Sequence, residues 1–310
     1  MENTGFSEIS AERLRFAGSG FWFCEIAVTG ACNFACRYCN GLAGQVDLRQ
    51  ICDFVDDHAK TLRHIHLTGG EPTLYGGIID LCDHIRTKGI RLGISTNGSA
   101  EHGLYERLDP DRLSISLDDF DDSILVSKGY RNPVKIRDNI RRLSTNRHVD
   151  VGLVVDSLNC SRVEQIVDYI LGLGVADIKL SVSTKDEVWP VFGATDYSRY
   201  PILNYRVGRF RSGKGMRGIA ETEDFKCALV KNDIGIVGDR HYPCLVYARE
   251  KGKHIGVLGG NVMEERRIWH DAHQPSTDPI CSMYCMDFKC EFNREHHKMS
   301  ARKTHPVGDA

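Results

Sequence analysis

The sequence predicts an α/β protein built from repeated strand–helix units. Between Phe21 and Ser183, short runs rich in β-branched residues alternate with segments whose apolar residues recur at helical spacing. A strand followed by a helix and a second strand normally places the two strands parallel. Six strands separated by helices therefore favour one parallel sheet with helices packed on it.

Six strands and four long helices are predicted in this part of the chain. The strands are Trp22–Val28, His64–Thr68, Leu92–Thr96, Leu113–Leu117, Val149–Val155 and Ile178–Val182. The helices are Leu48–Leu62, Ile78–Thr87, Pro133–Leu143 and Arg162–Leu173. Functional sites of parallel sheets gather at the carboxyl ends of the strands, so the residues that follow each strand are the first candidates for chemistry.

The alternation stops after Ser183. A hairpin is predicted from Leu229–Val237 and His241–Cys244, which flank a Gly-Asp turn, and Val262–His270 predicts a short helix. We divide the chain into an N-terminal extension (1–20), a strand–helix domain (21–200), a small C-terminal module (201–292) and a polar tail (293–310).

The chain of 310 residues has a net charge of −2, with 41% apolar and 26% charged residues. This balance is typical of a globular protein and gives no reason to expect binding to nucleic acid or membranes through overall charge. The first residues lack the basic and apolar segments of a signal peptide, and no apolar run reaches the ~18 residues of a membrane span. We expect a cytoplasmic protein without a membrane partner.

The twelve cysteines indicate metal binding. A reducing compartment disfavours a disulfide framework, which is typical of small secreted domains. Four cysteines stand alone in strand or helix patterns and are interpreted as small core residues: Cys24, Cys52, Cys82 and Cys160. The other eight fall in two groups.

The first group, Cys32, Cys36 and Cys39, occupies one loop after the first strand with the spacing C-x3-C-x2-C. An iron–sulfur cubane usually takes four cysteine ligands, so three leave one iron with an open position, which implies chemistry. A zinc knuckle is the alternative, although zinc sites more commonly pair C-x2-C units or add histidines.

The second informative string is Gly69-Gly70-Glu71-Pro72, at the end of the second strand. The glycines permit close approach of the backbone to a ligand, Glu71 offers a carboxylate for an ammonium group, and Pro72 fixes the turn. Alone, the string is also compatible with a simple turn. Its place in the strand–helix unit after the cysteine loop favours a shared site.

Together, these strings resemble the signatures of the radical S-adenosylmethionine (radical SAM) superfamily, from about Phe21 to Ser183. The resemblance implies a partial (β/α)6 barrel and a 4Fe–4S cluster on Cys32, Cys36 and Cys39, whose open iron takes the amino and carboxylate groups of S-adenosylmethionine. It also implies the family's chemistry, in which the reduced cluster cleaves S-adenosylmethionine to methionine and a 5′-deoxyadenosyl radical that abstracts hydrogen from a substrate carbon.

The resemblance also assigns contacts to S-adenosylmethionine. Gly69, Gly70 and Glu71 would hold the methionine amino end, and Tyr38 would lie against the adenine. Contacts to the sulfonium side and ribose are expected from the ends of the third and fourth strands: Thr96, Asn97 and Ser116. Turn chemistry is the alternative for these three residues, and packing on the barrel rim is the alternative for Tyr38. The string Leu117–Asp119 reads Leu-Asp-Asp where many relatives have Leu-Asp-Gly, which leaves the local loop shape open.

The second group consists of Cys227, Cys244, Cys281, Cys285 and Cys290. It resembles the shortened C-terminal "twitch" module (a truncated SPASM domain) of certain radical SAM enzymes, which holds an auxiliary 4Fe–4S cluster. The C-x3-C and C-x4-C spacings depart from the usual C-x2-C. We expect Cys227, Cys244, Cys281 and Cys285 to be the ligands, and Cys290 to be a replacement ligand, a buried free thiol or a catalytic donor of a hydrogen atom. A structural zinc site on the same four thiolates is the alternative.

A basic run precedes this second group: Arg206, Arg209, Arg211, Lys214 and Arg217. It could contact phosphate or a nucleic-acid backbone, and a solvated loop is the commoner meaning of such a run.

The first functional hypothesis is a radical SAM enzyme that isomerises, epimerises or dehydrogenates a small or nucleotide-linked substrate, including an amino-acid-modified thymidine in phage DNA. Three alternatives stay open: a ribosomal-peptide maturase, an aminoglycoside or sugar dehydrogenase or epimerase, and a non-catalytic metal-binding protein. The short segment before the first strand disfavours the maturase, and two intact signatures disfavour the non-catalytic protein. The chemistry implies a flavodoxin- or ferredoxin-type electron donor.

Overall fold

The computed structural model describes residues 11–16, 20–183, 188 and 218–304. They contain one sheet of nine strands: β1 (Phe23–Thr29), β2 (His64–Gly69), β3 (Arg91–Thr96), β4 (Arg112–Ser116), β5 (Val149–Val155), β6 (Asp177–Val182), β7 (Asp233–Val237), β8 (Arg240–Tyr242) and β9 (Gly256–Val257). Hydrogen-bonded neighbours follow the order β6–β5–β4–β3–β2–β1–β7–β8–β9. The sheet is mostly parallel and does not close among the described strands, which confirms the predicted α/β class with a partial barrel.

The described residues form twelve α-helices, and side-chain caps mark the starts of four of them. They are α1 (Ala11–Arg15), α2 (Leu48–His58), α3 (Ile78–Thr87), α4 (His102–Leu108), α5 (Asp122–Ser127), α6 (Pro133–Leu143), α7 (Val163–Leu171), α8 (Leu229–Asn232), α9 (Leu245–Arg249), α10 (Val262–Ala272), α11 (Cys281–Tyr284) and α12 (Asp287–Thr304). At the start of α6, for example, the Asn132 side chain accepts a hydrogen bond from the Lys135 amide, and Pro133 takes the first helical position.

Contacts divide the chain into two compact units. The loop unit comprises Val28–Gly44 and His66–Lys214, and the terminal unit comprises Met1–Ala27, Gln45–Ile65 and Gly215–Ala310.

In the loop unit, β3 to β6 pair in parallel, and their side chains alternate between an apolar and a polar face. On β4, Leu113 and Ile115 are fully buried, while Arg112 and Ser114 bind the Asp150 carboxylate of β5. Because the apolar face holds the core, the polar face and the strand ends are the parts of this unit that are available for a ligand.

In the terminal unit, β1 pairs in parallel with β7, and β7, β8 and β9 are antiparallel neighbours. The Arg266 guanidinium of α10 is buried and binds three backbone carbonyls: those of Val230 (2.7 Å), Tyr242 (2.8 Å) and Asp233 (2.5 Å). One side chain therefore fixes α8 against the hairpin.

Two predicted elements are corrected. The sequence predicts that the first hairpin strand begins at Leu229, whereas Leu229–Asn232 forms helix α8 and the strand begins at Asp233. The stretch from Asn293 is predicted to be a polar tail, whereas α12 continues through it to Thr304. The physical reason is burial at the start of this helix, where Phe292 is 2% exposed and Asn293 is 1% exposed.

Several predictions fall on other parts of the chain. Most of the N-terminal extension (1–20), the domain boundary at 200/201, the basic run from Arg206 to Arg217 and the end of the polar tail (305–310) lie outside the described residues. The domain division therefore stays a prediction. No described helix has both the length and the apolar character needed to cross a membrane.

Candidate functional site

The cysteine loop (residues 30–44) follows β1 directly and belongs to the loop unit. Cys32 and Cys39 are exposed, and Cys36 is half-buried. Two backbone amides donate to sulfur: that of Phe34 to Cys32 Sγ (3.4 Å) and that of Gly41 to Cys39 Sγ (3.3 Å). Such N–H···S bonds orient cysteine ligands and stabilise their negative charge when a metal is bound.

Burial favours the protonated form of two thiols in this loop, Cys32 and Cys36, by raising the pKa of each. It raises the pKa of Cys36 to about 12, with further contributions from the Asp118 carboxylate and from Cys39 and Cys32. Burial also raises the pKa of Cys32. Because cysteine binds metals as thiolate, a bound cation must displace these protons. Three mutually interacting thiols with N–H···S donors fit a 4Fe–4S cluster held by three cysteines.

The end of β2 contacts the start of the cysteine loop through backbone atoms. The Gly70 amide donates to the Thr29 carbonyl (2.7 Å), and the Glu71 amide donates to the Ala31 carbonyl (2.7 Å). A Cβ on Gly69, whose φ is +144°, would lie 2.3 Å from the Thr29 oxygen, and a Cβ on Gly70 would lie 2.3 Å from the Ala31 oxygen. Glycine is therefore required at both positions for this contact.

The Glu71 carboxylate is fully buried and is bound within the protein. Its Oε1 accepts hydrogen bonds from the hydroxyls of Thr73 (2.6 Å) and Thr96 (2.7 Å), and its Oε2 accepts one from the Asn97 amide (2.7 Å). The side chain thus joins the ends of β2 and β3. Its expected contact with the methionine amino group, together with Gly69 and Gly70, stays a prediction.

The Asn97 side chain joins the end of β3 to the cysteine loop. Its Nδ2 donates to Asn33 Oδ1 (2.7 Å) and lies 4.0 Å from Cys32 Sγ, and its Oδ1 accepts from the Ser99 amide (3.0 Å). Ser116 ends β4 and is half-buried. The expected contacts of Thr96, Asn97 and Ser116 with S-adenosylmethionine stay predictions.

The loop that follows α5 supports the cysteine loop from a second side. The Lys128 carbonyl accepts from the Arg37 amide, and the Gly129 carbonyl accepts from the Ala35 amide, both at 3.2 Å. Gly129 has φ +97°, and a Cβ there would lie 2.2 Å from the Ala35 oxygen. This second support was not predicted from the sequence.

A buried charge cluster underlies the same support. The Lys128 ammonium lies 3.3 Å from Asp118 Oδ2 and 3.4 Å from Asp156 Oδ2 and donates to the Val154 carbonyl (2.8 Å). The Tyr38 hydroxyl donates to Asp118 Oδ2 (2.7 Å), which ties the cysteine loop to this cluster. Tyr38 is thus fixed at its hydroxyl end, and its expected contact with adenine stays a prediction.

The second group of thiols lies in the terminal unit. The four predicted ligands line one largely apolar pocket: Cys227, Cys244, Cys281 and Cys285. Cys290 is 1% exposed, donates to the Gly218 carbonyl (3.5 Å) and is hydrogen-bonded to Cys285. Its burial favours a structural thiol, and its catalytic role stays a prediction.

Polar groups with N–H donors surround these thiols. Asn293 Nδ2 donates to Cys227 Sγ (3.6 Å), and His273 Nε2 lies 3.8 Å from Cys281 Sγ. Lys289 is buried and lines the pocket. Burial alone would lower the pKa of Lys289. Cys244, Glu25 and Asp233 together raise this pKa by more than burial lowers it, so it lies above its ordinary value.

The spacing of these groups bears on the zinc alternative. Among the described residues, the three candidate ligand atoms that lie within 4.8 Å of one another belong to His273, Asp278 and Cys281. A tetrahedral zinc ion with Zn–S bonds of about 2.3 Å places its sulfurs roughly 3.8 Å apart. No three of the four pocket thiols have their sulfur atoms within 4.8 Å of one another, so their spacing does not indicate a preformed zinc site.

Comparison with known proteins identifies the strand–helix part of the chain. The family model described as "Radical SAM superfamily" matches residues 26–175. A probable GTP 3′,8-cyclase of Methanothermobacter thermautotrophicus is 29% identical over 143 residues, which are 42% of this chain and 44% of that protein. A second relative, from Pyrococcus furiosus, is 27% identical over 171 residues, which are 48% of each chain. It is named as a cofactor-modifying protein of a tungsten-containing aldehyde ferredoxin oxidoreductase. The chain thus spans less than half the length of these two curated relatives.

Solved structures with the same fold cover more of the chain. Streptococcus suis SuiB has a TM-score of 0.62 at 14% identity, over 82% of this chain and 66% of that one. The protein anSMEcpe, solved with bound S-adenosylmethionine and a peptide, has a TM-score of 0.59 at 13% identity, over 91% of this chain and 97% of that one. With the cysteine loop and the Gly-Gly-Glu turn inside the matched residues 26–175, this part of the chain is a radical SAM domain.

Proposed function

We propose that this enzyme abstracts a hydrogen atom from a carbon of a small or nucleotide-linked substrate and thereby isomerises, epimerises or dehydrogenates it. The observation that carries the proposal is the cysteine loop held from two sides, by Gly69–Glu71 and by Lys128–Gly129. When bound on Cys32, Cys36 and Cys39, the cluster with S-adenosylmethionine supplies the electron and the 5′-deoxyadenosyl group for this chemistry.

The protein's own residues supply position and charge control. Gly69 and Gly70 bring the backbone of β2 against the loop, and Asn97 brings its amide near Cys32. A site defined mainly by backbone contacts is rigid, and rigidity keeps a reactive group in a fixed orientation toward its substrate.

The names of relatives support a nucleotide-linked substrate. Proteins named as probable GTP 3′,8-cyclases match 31–50% of this chain at 24–34% identity, and GTP is a nucleotide. An amino-acid-modified thymidine in phage DNA falls within this substrate class. A peptide substrate is the second candidate, because SuiB and anSMEcpe were both solved with bound peptides and share the fold over most of this chain.

We also propose an auxiliary 4Fe–4S cluster in the terminal unit, in a module of the twitch type. Cys227, Cys244, Cys281 and Cys285 line one pocket, which supports this ligand set. An electron donor of the flavodoxin or ferredoxin type is required because the cluster on the loop must be reduced before each cleavage.

Two measurements on anaerobically reconstituted protein test the proposal. Iron content should be about eight atoms per chain and fall to about four in the Cys227→Ala/Cys244→Ala variant. Reduced protein with S-adenosylmethionine should form 5′-deoxyadenosine, and Cys36→Ala should not. A panel of nucleosides, modified duplex DNA, aminoglycosides and peptides should then raise that rate for one class. No 5′-deoxyadenosine under any of these conditions would contradict the proposal.

A further inference from the structure

The C-terminal helix α12 begins against the cysteine pocket of the terminal unit. Lys289 and Asn293 lie four residues apart on it, so their side chains share one face of the helix. Both side chains line the pocket, together with the four thiols proposed to hold the auxiliary cluster. Their exposed fractions are only 8% and 1%.

The amide of Asn293 has a defined orientation. Its Oδ1 accepts a hydrogen bond from the Leu229 amide (3.4 Å), which leaves Nδ2 to donate to Cys227 Sγ (3.6 Å). An Asn side chain fixed at its oxygen in this way presents an N–H group to sulfur and cannot rotate without losing a bond.

The Lys289 ammonium brings a positive charge into an apolar pocket. A buried ammonium requires a compensating negative charge. Cys244, Glu25 and Asp233 all act to raise the pKa of this ammonium. Cys244 is one of the four thiols proposed to hold the cluster and lines the same pocket as Lys289, so thiolates formed on cluster binding would add negative charge near this lysine.

Neighbouring side chains hold the start of α12 in place. Phe292 is buried against Leu229 and Ala228, and Arg294 forms a two-pronged ion pair with Glu223. Lys289 and Asn293 are thus presented by a fixed element.

We infer that Lys289 and Asn293 are positioning residues of the auxiliary centre, which stabilise its reduced form through a buried positive charge and an N–H···S bond. This inference rests on the proposed auxiliary cluster. Reduction adds one electron, and hence one negative charge, to a cluster that is already anionic through its thiolates. Net charge and hydrogen bonds to sulfur set the potential of such clusters, so both residues make reduction easier.

The test uses the full chain with Cys32, Cys36 and Cys39 changed to Ala, so that the auxiliary cluster alone contributes to the EPR signal. Its midpoint potential is measured by EPR-monitored redox titration, together with iron content and the circular dichroism spectrum. Lys289→Met should lower the ratio of reduced to oxidised cluster about tenfold at a fixed potential, which is 59 mV for a one-electron couple. Asn293→Leu should lower it about threefold.

Two control variants separate charge from packing. Lys289→Arg keeps the charge and should keep the potential. Lys298→Met changes an exposed lysine of the same helix, paired with Glu295, and should have no effect. An unchanged potential in Lys289→Met and Asn293→Leu, on an intact four-iron cluster, would overturn the inference alone. Loss of iron from both Lys289→Met and Lys289→Arg would also overturn the inference, because the lysine side chain would then be needed for packing around the cluster and not for its charge. Zinc in place of iron would overturn the auxiliary cluster and the inference together.

Discussion

Replacement of Lys128 by methionine is expected to destabilise the fold by about 3–5 kcal/mol, because it breaks a buried ion pair on one side only. The lysine side chain and both of its carboxylate partners, Asp118 and Asp156, are 0% exposed, with ammonium–oxygen distances of 3.3 and 3.4 Å. At an effective dielectric constant of about 20, each contact is worth roughly 5 kcal/mol of attraction. Desolvation offsets much of this in the native protein, but the variant would keep the cost of burying two carboxylates without their cation.

The assay is urea unfolding of the metal-free protein, so that cluster loss does not obscure the transition. The matched control is Lys135→Met, since Lys135 pairs with the exposed Glu101 on the surface of the same unit. Such a surface pair contributes at most about 1 kcal/mol. A double variant that adds Asp118→Asn should recover part of the loss, because it removes one of the two stranded charges. A loss below about 1 kcal/mol in Lys128→Met would refute the role given to this cluster.

Three further outcomes are expected. Gly129→Ala should lower the iron content from about eight to about four atoms per chain, because the added Cβ would meet the Ala35 carbonyl. The control Gly103→Ala has no atom near its Cβ and should bind the full amount of iron. A full iron content in both variants would contradict the role of Gly129 in supporting the cysteine loop. Glu71→Gln should reduce the free energy of unfolding, measured by urea denaturation, by about 1–3 kcal/mol, because hydrogen bonds to a charged acceptor are stronger than those to a neutral one. Equal stability of the variant and the unmodified protein would argue against the role of Glu71 in connecting the ends of β2 and β3. Burial lowers the pKa of His66 to about 3, so the unfolded chain takes up this proton first and stability should fall as pH drops from 6.5 toward 3. His66→Gln should flatten that pH profile in urea unfolding, and an unaltered profile would contradict the burial argument.

The strand–helix order was predictable because period and caps are local signals. Helix Pro133–Leu143 has the predicted bounds, since Asn132 and Pro133 fix its start within the sequence itself. The three-cysteine loop and the Gly-Gly-Glu turn were also predictable from local signals. Each is a short string in which closely spaced thiols or paired glycines indicate a binding site more often than an ordinary loop.

Long-range partners explain what the sequence did not predict. Leu229–Asn232 resembles a strand because it begins with two apolar residues and precedes a strand. In the structure it is helix α8, and Arg266, 36 residues beyond Val230, binds the Val230 carbonyl. Lys128 and Gly129 carry no motif that distinguishes them from an ordinary helix end. Their role depends on contact with the cysteine loop, about 90 residues earlier in the chain, which only the fold brings near.

The Asp119 position shows how this chain keeps the site while departing from many relatives. Glycine is needed where φ is positive, and Asp119 is not among the described non-glycine residues with positive φ. Its buried carboxylate accepts hydrogen bonds from the Asp121 amide (3.0 Å) and from Arg162 (3.0 Å). The side chain therefore closes the turn that leads into α5, and so toward Lys128 and Gly129. The Leu-Asp-Asp string changes how this turn is stabilised and leaves the preceding Asp118 free to bind Tyr38 and Lys128. The departure thus belongs to the support of the cysteine loop, and the residues that would hold the cluster itself are unaffected.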